Sequence, residues 1–264
     1  MSRTISLDAP LDELLDFAKS RYTVRFEPVA VAGETLDILQ IADLEALVDR
    51  LAREAGNGQI TLPYWAKIWP AAMLLSHFLP HLGPGEGRTL LELGAGVGVC
   101  GLFAARRGFD VCITDINPDA LLFARINILQ NGLSDRARVA HADFSADRLG
   151  RRFDVILGAE VLYMEDLYRG LCKFLLAHIA PDPAAEVVLI KDFTRRAGRF
   201  LVDRLAAHPG LTRPCLLPEI AAVDQWLAGL GRAGYGRPLR LLDVLGRVGL
   251  LHAVIQDLQN GSGE

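Results

Sequence analysis

The sequence predicts a doubly wound α/β fold built on a mostly parallel sheet, and three observations carry that prediction. From Arg88 onward, short apolar runs alternate with helix-length segments. The runs are apolar throughout rather than on every second residue, which marks strands covered on both faces. The first run, "TLLELGAGVGVCG" (89–101), breaks into four glycines, and the next apolar run ends on Asp115.

The elements follow in order. The opening "MSRTISLDAPLDELLDFAKS" reads as a short acidic amphipathic segment. Residues 22–41 alternate well enough for two strands joined at Ala32-Gly33-Glu34. "DLEALVDRLAREAG" is a helix with Asp43 as N-cap and Gly56 as its stop, followed by a linker over 56–61. Residues 1–61 are taken as an N-terminal extension of a domain over 62–258. "LPYWAKIWPAAMLLSHFLPHL" runs from two tryptophans into a helix. Strand one is "TLLEL", and its helix passes through Ala104 and Ala105 to stop at Gly108. Strand two is "FDVCITD". Asn117-Pro118 open the helix "PDALLFARINILQ", which Asn131-Gly132 close. Strands three to five are "RVAHAD", "FDVILGAE" and "AEVVLIKD", with a helix from Glu165 to Ala180 before the fifth and "RRAGRFLVDRLAAH" after it. Two apolar runs in 237–258, split by Gly246-Arg247-Val248-Gly249, predict a terminal antiparallel hairpin. The stretch 210–236 reads as an insertion of helix and loops, and 259–264 as a disordered tail.

Bulk properties narrow the function. The net charge of -4 argues against a broad basic face for nucleic acid. No stretch is long enough to span a bilayer. The four cysteines form no C-x-x-C pair, which suggests neither a zinc knot nor a disulfide frame and fits a reducing cytoplasm. His77 and His81 have helical metal-ligand spacing, but Pro80 interrupts them and they read as surface residues. Tyr64 and Trp65 are assigned to an acceptor entrance in preference to packing of the cap, and Cys100 and Cys112 to the core.

The glycines admit two cofactors. In a doubly wound sheet the ligand lies beyond the carboxyl ends of the strands, against the first strand-to-helix turn. Gly96-x-Gly98-x-x-Gly101, with Asp115 about twenty residues on, fits the dinucleotide pattern of an NAD-dependent oxidoreductase. Gly94-x-Gly96-x-Gly98 preceded by Glu92 fits an S-adenosylmethionine turn. Glu92 favours the second, because a carboxylate there suits a methionine ammonium and repels a pyrophosphate. Asp143 can accept from an adenine amino group while Phe144 packs on the base, although Phe144 suits plain core about as well. The expected terminal hairpin also points away from the dinucleotide fold.

"LPYWAKIWPAA", "LLELGAGVGVCGL", "ITDINPDAL", "ADF" and "FDVILGAEVLY", in this order, resemble the class I methyltransferases, whose Rossmann-like sheet has seven strands. Within them the chain resembles the branch that methylates protein lysines. The resemblance covers residues 60–195 well and the flanks in outline. It implies S-adenosylmethionine as cofactor, Trp69 packing near it, and Glu92, Gly94, Gly96 and Gly98 as the first motif. It further implies Asp115 on the ribose, Asp143 and Phe144 at the adenine, and Ala159 beside the sulfur. Glu160 and Tyr163 match the catalytic acid-x-x-aromatic motif, in which the acid is usually aspartate; glutamate adds one methylene. Asn-Pro-Pro-Tyr, which base and glutamine methyltransferases resemble one another in carrying here, is absent. The implied acceptor is a protein lysine, with a small nicotinamide-like amine as the alternative.

Overall fold

The computed structural model describes residues 4–56, 58, 60–161, 167–182, 184–192, 214–216 and 248–253. The extension opens with α1 (Leu11–Arg21), whose ends match the helix dipole: Asp12 and Glu13 in the first turn, Lys19 and Arg21 in the last. Strands β1 (Val24–Val31) and β2 (Glu34–Ile41) pair antiparallel about a two-residue turn. Ala32 and Gly33 both take positive φ there, which gives the twist a tight hairpin needs. Helix α2 (Leu44–Ala55) is capped by Asp43, which accepts from the Ala46 N–H, and Gly56 ends it at positive φ, as the sequence predicts.

The main sheet is built from β3 (Thr89–Leu93), β4 (Asp110–Asp115), β5 (Ala137–His141), β6 (Val155–Ala159) and β7 (Glu186–Asp192). All five are parallel, in the order β5-β4-β3-β6-β7. Strand β9 (Val248–Ala253) adds antiparallel to β7, and β8 (Pro214–Leu216) pairs antiparallel with β9 outside it. The antiparallel pair is thus present. Among the described residues its outer arm is 214–216, inside the stretch read as helix and loops; the apolar run at 237–245 lies outside the described residues. Three residues are too few to show a strand period, so the sequence offered no signal for β8.

Successive strand residues feed two cores. Leu90, Val111, Ile113, Val155, Leu157, Val188 and Ile190 point to one face, and Leu91, Leu93, Cys112, Ile156, Val187 and Leu189 to the other. Helices α3 (Pro70–Phe78), α4 (Val99–Arg106) and α5 (Pro118–Gln130) pack with the extension on the first face; α6 (Tyr168–His178) supplies the second. Asn117 caps α5 by accepting from the Asp119 and Ala120 N–H groups, with Pro118 at the first helical position. The predicted helix at 195–208 lies outside the described residues. No helix among the described residues is long and apolar enough to cross a membrane. His77 is buried, not on the surface: α3 turns it inward at 7% exposure, and desolvation lowers its pKa.

Candidate active site

Because β3 to β6 run parallel, their carboxyl ends open on one edge of the sheet, and the predicted strand-end residues Glu92, Gly94, Gly96, Gly98, Asp115, Asp143 and Ala159 lie along it. The turn after β3 is made by glycines at positive φ: Gly94 at 56°, Gly96 at 55° and Gly98 at 83°. It is laced to β4 through the Ala95 N–H, which donates to the Thr114 carbonyl at 3.0 Å. The Gly96 N–H donates to the Asp115 carboxylate at 2.8 Å. A Cβ on Gly96 would stand 2.7 Å from the Trp65 carbonyl oxygen, so the segment preceding α3 passes directly over the turn.

Glu92 has partners other than the expected ammonium. It is buried at 3% exposure, and its Oε2 accepts from the Gly101 N–H at 2.8 Å. A side chain on Gly101 would come within 2.5 Å of that oxygen. The fourth glycine is therefore explained by room for a carboxylate at the start of α4, and needs no pyrophosphate. Desolvation, opposed by the Gly101 hydrogen bond and reinforced by the charge on Asp115, pushes the Glu92 pKa up to about 8. Its role in this geometry is to hold the turn and the helix N-terminus together.

Asp115 ends β4 at 8% exposure, accepting from Gly96 through one oxygen and from the Asn117 N–H through the other. Burial raises its pKa, and those amides oppose the rise. Next to it Ile116 is 58% exposed, one of four large apolar residues so placed among the described residues. Asp143, past the end of β5, accepts from the Ser145 hydroxyl and N–H, which lowers its pKa and keeps it ionised. Phe144 is half-buried and packs against the second core, so much of its ring serves that core.

At the end of β6, Ala159 is half-buried. Glu160 follows at φ 57°, a region non-glycine residues rarely enter, and its N–H donates to the Ile190 carbonyl at 2.7 Å. Such strain costs about 1–3 kcal/mol and collects at sites of function. Tyr163 lies outside the described residues.

Trp69 stands at the N-cap of α3, donates its indole N–H to the Tyr64 carbonyl at 2.9 Å, and carries the Lys67 ammonium 4.7 Å from its ring centroid. Trp65 packs edge-on to Tyr22 and Phe123, with centroids 5.8 and 5.0 Å away. It belongs to the seam between the extension and α5; Tyr64, 62% exposed, is the one of the two that faces solvent. A separate cavity of about 390 Å³ lies along that seam, lined by Tyr22, Arg50, Leu62, Trp65, Asn117 and Asp119 among others, and contains none of the strand-end glycines or acids except by the neighbourhood of Asn117. No cluster of three or more metal-ligating side chains occurs among the described residues.

Sequence reasoning missed Thr114, Ile116 and Asn127. Ile116 left one signal, an apolar residue placed directly after the strand-two acid. The other two are ordinary polar residues inside a strand and a helix, and only their partners reveal them.

A family model described as lysine methyltransferase matches residues 57–203. The chain belongs to that family. Protein N-lysine methyltransferase METTL21A of Danio rerio is 32% identical over 146 residues, 52% of this chain and 66% of that protein. EEF1A lysine methyltransferase 3 of Mus musculus is 36% identical over 107 residues, 39% of this chain and 46% of that protein. The chain thus spans about half to two thirds of the length of these curated relatives. Among solved structures, the T. thermophilus 16S rRNA methyltransferase RsmC, in complex with AdoMet and guanosine, aligns with a TM-score of 0.58. At 19% identity, over 88% of this chain and 50% of that one, it shares the fold. Family membership removes the ground for the oxidoreductase reading of the glycines.

Proposed function

We propose that this chain transfers a methyl group from S-adenosylmethionine to a lysine side chain of a protein. The observation that carries the reading is the glycine turn at the end of β3, flanked by acids at the ends of β4 and β5, with Glu160 at positive φ at the end of β6. The residues fit the cofactor: Gly94 leaves the backbone of the turn exposed, Asp115 offers lone pairs at the position of a ribose, and exposed Ile116 offers an apolar wall for a base. When bound, S-adenosylmethionine supplies an activated methyl on a sulfonium.

The chain must then present a neutral amine in line with that methyl, and positioning supplies much of the rate. Free lysine titrates near ~10.4, so its proton must leave first, and partial desolvation beside a cationic sulfonium lowers that barrier. Glu160 orients the amine and accepts its proton, assisted by the Tyr163 hydroxyl. The family's name and the named substrates of its relatives support a protein acceptor. The same reading places the chain in a reducing, cytoplasmic compartment, supported by Cys100, Cys112 and Cys172 as buried free thiols. Thermal shift tests the cofactor: ligand at about a hundred times its Kd stabilises by roughly 2.7 kcal/mol. S-adenosylhomocysteine should raise Tm and NAD(H) should not; the reverse result overturns the reading.

A further inference from the structure

The glycine turn is held from outside its own strand and helix as well as from within. Asn127, on α5, is fully buried. Its Nδ2 donates to the carbonyl of Val97, within the turn, at 3.0 Å. Its Oδ1 accepts from the N–H of Leu39, on β2 of the N-terminal hairpin, at 2.7 Å. One partner can only accept and the other can only donate, so the amide has one orientation and both ends are satisfied. One turn earlier on the same helix, Ala124 lies beneath Gly98, whose added Cβ would meet the Ala124 methyl at 3.2 Å. Helix α5 therefore supports the floor of the turn at two points.

We infer that Asn127 is a positioning residue for the cofactor, transmitting the placement of the N-terminal hairpin to the shape of the glycine turn. Asparagine suits the task because it joins a backbone donor and a backbone acceptor that would otherwise be buried without partners. Leaving such groups buried and unpaired is costly. A turn that lost its Val97 anchor would have to be re-ordered whenever the cofactor bound, and affinity would fall accordingly. Asn127 touches neither the methyl nor the acceptor, so the effect belongs in cofactor affinity and not in the chemical step.

Asn131 supplies the control. It also ties the hairpin to α5, accepting from the Asp37 N–H at 2.9 Å and donating to the Asp37 carbonyl at 2.8 Å, but it makes no hydrogen bond to the turn. Asn127→Leu removes both of the Asn127 links, and Asn127→Asp keeps the acceptor for Leu39 while replacing the donor to Val97. Either variant that folds serves, with S-adenosylhomocysteine binding measured by calorimetry well below Tm at pH about 8.5.

The inference rests on the glycine turn being the cofactor site, so Gly96→Val is measured alongside. The expected result is a Kd raised about tenfold for the Asn127 variants, equivalent to about 1.4 kcal/mol, with KM for the cofactor raised and kcat kept. Asn131→Ala should lower Tm and leave Kd unchanged. Wild-type Kd in a folded Asn127 variant, or an equal loss of affinity in Asn131→Ala, overturns the inference. Full affinity in Gly96→Val overturns the site assignment and the inference with it.

Discussion

The part of the site proposed for the cofactor, at the ends of β3 to β5, and the part proposed for the acceptor, at the end of β6, solve different problems. At the ends of β3 to β5 each special backbone conformation falls on a glycine, and each aspartate accepts from backbone N–H: Asp115 from Gly96 and Asn117, Asp143 from Ser145. In the acceptor half the special conformation falls on Glu160, which has a Cβ and bears the strain. The first arrangement is relaxed and suits the binding of an invariant molecule. The second keeps an acidic residue in a strained backbone conformation, which suits chemistry.

The contrast breaks most sharply at Gly96. Valine there meets both the positive φ and the Trp65 carbonyl 2.7 Å from its Cβ. Gly96→Val should cost S-adenosylhomocysteine affinity at least about 100-fold, or roughly 2.7 kcal/mol, in a calorimetric titration. Glu160→Gln should do the opposite: cofactor binding stays near wild type while single-turnover methyl transfer falls by roughly 10²-fold or more. If Glu160→Gln lost cofactor affinity as well, the two halves would not be separable.

A smaller effect separates the acids within the cofactor half. Glu92 is held near pH 8 in the folded protein, whereas an unfolded chain ionises it in the ordinary carboxyl range. Folding therefore takes up a proton between those values. The stabilisation is complete below the unfolded value and is lost as pH rises through about 8. Glu92→Gln has no such titration, so its Tm should gain progressively on wild type as pH rises from about 5 to about 8. A constant difference across that range would show Glu92 ionised in the fold, where it could meet an ammonium after all. Ile116→Ser should give the smallest effect, raising the cofactor Kd several-fold through loss of an apolar wall, by about 1 kcal/mol.

Legibility in the sequence follows the same division. The placement of the turn and its flanking acids was readable because these devices have fixed spacing: glycines at a strand end, then one acid at the end of each of the next two strands. Glu92 was found as a residue, but its hydrogen bond from the Gly101 N–H was not, since nothing in "LLELGAG" tells whether the carboxylate turns toward the ligand or under the helix. Gly101 was readable as a glycine but not as the gap that houses that carboxylate. His77 was misplaced because one residue's rotation on a short, mostly apolar helix decides its burial. Trp65 was assigned to an entrance, where its ring instead seals the extension against Phe123. Asn127 was invisible, because its meaning lies in two partners 88 and 30 residues away.

The most direct measurement incubates the chain with methyl-labelled S-adenosylmethionine and extract from a strain lacking it, then locates the label by mass spectrometry. The account predicts label on lysine Nζ in the protein fraction, abolished in Gly96→Val and reduced at least about 100-fold in Glu160→Gln. Label confined to small molecules or to RNA, or undiminished in Glu160→Gln, would contradict it.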